Sequence, residues 1–262
     1  MAEPGAPESK VPELPNFITF LYQRFQYTEW ANFLHHWENL IFSLIIASLI
    51  SLVAYLGTRR NSMIPSGLQN GLEFAIEKFR DLILGVLGPQ GEKYIPFLGT
   101  LFIYIMTMNI FGMIPLMKSP SSNINITIAL ALCVFCLVQY LHIKHMGFLG
   151  FIYHLAGSPK SAIEWGLTPL MFVLELIAQL ARPVTLALRL FGNILGEDIL
   201  IGAFSVLGIL VISHFMNSPV GIPLQVPFMF LALLTSLMQA LVFTLLSTVY
   251  ILLSIPALDE KH

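Results

Sequence analysis

Charge is what this chain has least of. Asp, Glu, Lys and Arg make up 11% of its 262 residues, against about 25% in soluble domains. Too few charges are present to solvate a globule of this size. Cysteine is nearly absent. Cys133 and Cys136 are the only two, and both lie in an apolar run. Their C-x-x-C spacing resembles a redox motif, but the scaffold that usually carries one is missing. Plain helix packing by two small hydrophobes is the reading. No basic excess exists: the net charge is −2, so nothing points to nucleic acid. The first residues, "MAEPGAPESKVPELP", are acidic and proline-rich. They lack the basic start and apolar core of a secretory leader. A nucleotide-binding loop and an internal repeat are also missing.

Apolar sequence is plentiful instead. Hydrophobic residues make up 56% of the chain, and several runs reach spanning length, which identifies an integral membrane protein. The expected fold is all-α, with about five membrane-embedded helices. Residues 1–36 read as a non-spanning tail, with "NFITFLYQRF" as a short interfacial helix within it. Residues 37–262 read as one membrane domain. Its first span is 37–57. Residues 68–87, "LQNGLEFAIEKFRDLILGVL", mix charge with helically spaced apolar positions, as an amphipathic interfacial helix does; a soluble loop helix is the alternative. Residues 95–117 and 123–145 read as a helical hairpin. The short apolar piece "GFLGFIYHLAG" is read as interfacial. Residues 163–213, interrupted in character by Pro169 and Pro183, pair with 222–255. Both of these exceed the roughly 20 residues that cross a bilayer upright, so a strongly tilted hairpin is expected.

Basic residues set the orientation. Arg59, Arg60, Lys78, Arg80 and Lys93 follow the first span, Lys144 and Lys160 follow the third, and Lys261 lies in the tail; the opposite side has Lys10, Arg24 and Lys118. By the positive-inside rule the N-terminus is outside and the C-terminus inside.

The long penultimate segment carries a polar stripe. A helix advances about 100° per residue. With Glu175 at zero, Gln179 falls near about +40°, Arg182 about −20°, Arg189 about −40°, Asn193 about 0° and Glu197 about +40°. Asp198 falls near about 140° and points elsewhere. The last segment repeats polar residues more sparsely, at Gln225, Ser236, Gln239, Ser247 and Tyr250. Gln239 is placed to face the stripe across the hairpin. Either Arg182 and Arg189 pair with Glu175 and Glu197 as structural glue, or the stripe is an ion pathway, the default for ionisable groups inside a bilayer. Arginine stays protonated in proteins, so it bars cations but relays no proton. Glu197 and Asp198 can relay one.

"LRLFGNILGEDIL", Leu188 to Leu200, resembles the signature of subunit a of F-type ATP synthases. "NIFGMIP", "SSNINITIALAL", "ARPVTLALRLFGN" and "LMQALVFTLLSTVY" resemble further family patterns, and the similarity covers roughly 67–250. The resemblance implies that Arg189 is the essential arginine facing a rotating ring of c subunits, and that Gln239 is its neighbour on the last helix. Asp198 matches an acidic position on the ion path that is often Glu. Glu197 matches a position that is acidic in plastid-like members and small in some bacterial ones. Those bacterial members place a histidine where Ala232 stands here, so the resemblance gives Glu197 that histidine's titrating role. Asn193 matches the polar residue one turn after the arginine, and Glu175 an acidic position that many members carry.

The implied function is ion translocation, most simply of protons, through two half-channels separated by Arg189. It is coupled to ATP synthesis by partner subunits that hold the catalytic sites. Implied partners are the c-ring, the peripheral-stalk b subunits, the other synthase subunits and membrane lipid. No cofactor, metal or catalytic residue is expected in this chain. The expected location is an energy-transducing membrane, first of all the bacterial inner membrane; the missing basic, Ser-rich leader fits a bacterial protein or an organelle-encoded one. A secondary ion transporter is the alternative, but it calls for a repeat and half-helix sites. A redox subunit on His142, His145 and His154 is a further alternative; histidines facing solvent or headgroups account for them better. No motif of an intramembrane protease stands out.

Overall fold

The structure is a computed structural model that describes residues 16–24, 28–59, 67–157, 162–216 and 223–255. Most of the N-terminal tail, the loop holding Arg60, the link holding Lys160 and the C-terminal tail with Lys261 lie outside the described residues. The described residues form helices and loops with no strand. Two short helices, α1 (Phe17–Arg24) and α2 (Glu29–His36), precede α3 (Glu38–Thr58). Then come α4 (Leu68–Leu87), a 3-10 turn (Pro89–Tyr94), α5 (Ile95–Phe111), α6 (Ile124–Leu155), α7 (Ala162–Met216) and α8 (Val226–Ser254). Five helical stretches are long and apolar enough to cross a membrane: Glu38–Thr58, Pro89–Phe111, Ile124–Tyr153, Gly166–Val211 and Val226–Ser254. The fold is that of an all-α, multi-pass membrane protein.

Two boundaries differ from the sequence expectation for physical reasons. The second span stops at Phe111 and not near residue 117. Gly112 and Pro115 follow, and Leu116 adopts a φ of 69°, which no helix continues. The third apolar run joins "GFLGFIYHLAG" in one helix, bent at Gly147, whose φ of 70° a side chain would oppose. Pro169 and Pro183 lie inside α7 without ending it. In apolar surroundings neighbouring groups re-satisfy the carbonyls that proline frees, so such a helix persists.

The chain forms two compact units. One comprises the described residues of Met1–Leu49, Tyr104–Asn123 and Phe191–Gln239; the other those of Ile50–Ile103, Ile124–Leu190 and Ala240–His262. In the first unit, Phe42 meets Phe111 with ring centroids 6.2 Å apart, and Ser43 bonds Tyr104. There α7 and α8 run antiparallel: Asn193 meets Gln239, Glu197 meets Thr235, and Phe204 stacks on Phe228 at 3.9 Å. Each step up α7 is a step down α8. In the second unit, Phe79 of α4 stacks on Phe102 of α5 at 5.2 Å, and Arg182 of α7 lies over the Tyr250 ring of α8.

Helix α8 shows why these helices associate in lipid. Its buried face runs through Ala232, Ser236, Ala240, Thr244, Ser247 and Thr248. Lipid tails are as apolar as leucine, so association relies on close packing, which small residues permit. The hydroxyls of Thr244, Ser247 and Thr248 donate to carbonyls one turn back, each at 2.8 Å. Such back-bonding leaves no unpaired hydroxyl in an apolar seam. Cys133 and Cys136 are both free and exposed on α6, so they face outward and do not pack. Their spacing of three residues puts both on one side of the helix, and that side faces away from the core.

Candidate functional site

Every polar residue of the stripe lies on the continuous helix α7. The structure divides them between two settings, each within its own unit.

In the first unit, Asn193 Nδ2 donates to Gln239 Oε1 at 2.7 Å. Gln239 is 4% exposed, and its Nε2 has no hydrogen-bond partner among the described residues. One buried donor is thus left over. One turn further along α7, the Thr235 hydroxyl donates to Glu197 Oε1 at 2.5 Å, and the Ser236 hydroxyl lies 3.5 Å from Oε2. Both hydroxyls come from α8, just past the buried Ala232. A histidine is absent at 232, and two hydroxyls hold the carboxyl from the neighbouring turn. Asp198 points to a different place: a cavity of 350 Å³ that it lines with Lys118, Ser119, Ser205, Gln225 and the 112–117 backbone stretch. One water needs about 10–15 Å³ of such space, so the cavity has room for several waters. The two adjacent acids therefore differ in setting. Glu197 is gripped by a partner helix, and Asp198 borders the cavity.

In the second unit, Gln179 is 5% exposed and links two side chains. Gln139 Nε2 donates to Gln179 Oε1 at 2.9 Å, and Gln179 Nε2 donates to Glu175 Oε1 at 3.4 Å. Gln139, Gln179, Arg182 and Tyr250 line a pocket of 20 Å³, room for about one water. The Arg182 guanidinium sits 5.4 Å from the centre of the Tyr250 ring, a cation–π contact. Arg189 is different. It is exposed, and among the described residues it has no hydrogen bond or ion pair.

This geometry bears on the choice between glue and pathway. An arginine at mid-membrane costs about 2.5–3.5 kcal/mol by insertion scales. An interhelical polar bond returns only about 0.6 kcal/mol on average. The glue reading requires at least a partner for each arginine. Arg182 takes an aromatic ring in place of a carboxylate, and Arg189 takes no hydrogen bond or ion pair among the described residues.

Several neighbours escape a reading of the stripe alone. Thr235, Gln139, Lys118 and Ser205 all touch it or its cavities. Gln139 was visible as a lone amide in an apolar run. Thr235 was not, because hydroxyls in such helices usually bond their own backbone. The histidine group resolves otherwise than expected. His145 is exposed, but His142 is 3% exposed, with Nδ1 3.1 Å from the Val138 carbonyl and its ring beside Phe151. His142 is a core residue facing neither solvent nor headgroups, because α6 turns it inward against its own bent end. The side chain of His154 lies outside the described residues. Among the described residues no group of His, Cys, Asp or Glu is arranged to hold a metal.

The model of the ATP synthase A chain family matches residues 40–252. The chain is 70% identical over 255 residues to ATP synthase subunit a of Protochlamydia amoebophila, across 97% of this chain and 94% of that one. It is 37% identical over 225 residues to ATP synthase subunit a of Solidesulfovibrio magneticus, across 86% of each. To ATP synthase subunit a of Trichlorobacter lovleyi it is 35% identical over 222 residues, across 85% of this chain and 87% of that one.

Proposed function

The chain belongs to the ATP synthase A chain family, and from that premise we propose that it is the ion-conducting stator subunit of an F-type ATP synthase. Its partners are the other synthase subunits, and among them the c-ring faces Arg189, with the peripheral-stalk b subunits bracing the stator. The membrane is an energy-transducing one, the bacterial inner membrane by the company of its relatives. The N-terminus lies outside and the C-terminus inside, so α7 climbs obliquely from Glu175 on the inner side to Asp198 on the outer. A straight helix of 55 residues would be about 80 Å long, against a hydrocarbon core of about 30 Å. Strong tilt follows.

A proton from outside enters the water-filled cavity, reaches Asp198 and passes to Glu197. From there it neutralises a carboxylate on the ring. A neutral acid is far cheaper in lipid than a carboxylate, so only the protonated site rotates away from the stator. After nearly a full turn the site reaches the second polar region, where Gln139, Gln179 and Glu175 guide the proton inward. Arg189 stands between the two routes. Its permanent charge repels protons from a direct leak and favours the ionised form of the ring carboxylate beside it. The leftover Gln239 N–H is a donor for that same carboxylate, and Asn193 fixes the amide's orientation. Each charge crossing releases about 2.3 kcal/mol per 100 mV, so several crossings are needed per ATP.

The observation that supports this reading is Arg189, an exposed arginine on a spanning helix with no hydrogen bond or ion pair among the described residues. In this reading another subunit supplies its counter-charge. The test is Arg189→Ala in the assembled synthase. Coupled ATP synthesis falls below detection while the complex still assembles. Normal ATP-driven proton pumping by that variant would sink the assignment.

A further inference from the structure

The wall of the Asp198 cavity is the loop from Gly112 to Ser119, and the segment before the first span holds that loop in place. Leu116 sits at a φ of 69°, a left-handed conformation that a leucine keeps only when its surroundings enforce it. The enforcing contacts come from elsewhere in the same unit. The Phe17 backbone N–H, at the start of α1, donates to the Leu116 carbonyl at 2.8 Å. Lys118 Nζ donates to Glu38 Oε1 at 2.9 Å. Glu38 opens α3 and is 7% exposed. Its other oxygen receives Asn16 Nδ2 at 3.4 Å and lies 3.3 Å from His35 Nδ1. At the loop's end, Ser119 donates to the Met108 carbonyl at 2.9 Å, and Gly112 lies so close that a Cβ there would meet Ser119 Cβ at 2.6 Å.

A buried ion pair adds little net stability, but losing one partner strands the other's charge. Such a pair is well suited to fixing a position. Here it ties the first turn of α3 to a loop whose other side lines the cavity at Asp198. We propose that Glu38, acting through Lys118, is a positioning residue for proton uptake: it latches the 112–119 loop as the fixed wall of the Asp198 cavity. The chain ahead of the first span is thereby part of the outer half-channel's frame. This rests on the reading of the Asp198 cavity as the proton inlet.

The experiment uses the intact synthase, with Cys133 and Cys136 replaced by alanine and Ser205→Cys as a reporter in the cavity; synthesis is read in inverted vesicles, and labelling in right-side-out spheroplasts, whose outer face meets the medium. Two quantities are read per assembled complex: proton-driven ATP synthesis, and labelling of the reporter by a membrane-impermeant thiol reagent. Glu38→Gln and, independently, Lys118→Met each slow synthesis about fivefold, within the range by which packed networks tune a distant site. Each also changes the labelling rate by a similar factor. The charge-exchanged pair E38K/K118E restores both. Wild-type synthesis and labelling in the single variants overturn the latch. So does slowed synthesis with unchanged labelling. Labelling reads the wall whatever Asp198 does, so an inlet located elsewhere shows up separately, as wild-type flux in both Glu197→Gln and Asp198→Asn.

Discussion

Two stretches of one helix handle polar groups in opposite ways. Around Asn193, Glu197 and Asp198, α7 borders a cavity of 350 Å³, and the acids have separate surroundings. Around Glu175, Gln179 and Arg182, the pocket is 20 Å³ and the side chains bond in series. The first is a roomy cavity bordered by a carboxyl. The second is a small pocket lined by amides, with an arginine set on a tyrosine ring. An amide does not exchange a proton readily, but it orients water that does. Under the proposed function, the difference suits a wide inlet that collects dilute protons and a tight outlet where one ordered water suffices.

That contrast can be broken at the carboxyls first. Glu197→Gln keeps the shape and the contacts to Thr235 and Ser236 but removes the exchangeable proton. It should cut proton flux by about 10²-fold, the low end for a positioned acid–base group. Asp198→Asn should cost less, because water in its cavity carries protons past it. Passive flux through vesicles stripped of the catalytic sector measures both, and equal, negligible effects would place the inlet elsewhere.

The narrow region gives the next largest effect. Gln179→Leu fills the space of the single water and should slow flux about fivefold, whereas Gln179→Ala opens the pocket and should restore most of it. If alanine slows flux as much as leucine, the amide itself matters and the size of the pocket does not. The smallest effect belongs to Asn193→Ala. It removes one interhelical bond, about 0.6 kcal/mol, and should lower the heat resistance of the complex slightly while changing synthesis less than about twofold. A collapse of synthesis would make Asn193 part of the conducting route and not merely the support of Gln239.

The reading of the sequence was strongest where chemistry is local. Low charge and long apolar runs are sufficient to place the chain in a bilayer. The helical phase put Glu197 and Asp198 on different faces, and the structure gives them different surroundings. Where contacts between distant segments decide, the sequence was silent. It did not show that Gln139 reaches Gln179 forty residues away, or that Thr235 grips Glu197. It misplaced His142, Cys133 and Cys136, because an apolar helix offers no periodic signal to tell its buried face from its lipid face. It also carried the second span through Pro115, where a loop takes over.

The sequence by itself determined the membrane setting, the helical class and which side chains carry charge, since each depends only on residue type and spacing along one helix. The tertiary structure alone decided which of those charges have partners. Glu38 finds Lys118 across eighty residues, Glu197 finds two hydroxyls on the next helix, and Arg189 finds none among the described residues. Partnership depends on which helices adjoin, and in lipid that is set by the fit of small residues and polar contacts between segments far apart in the chain.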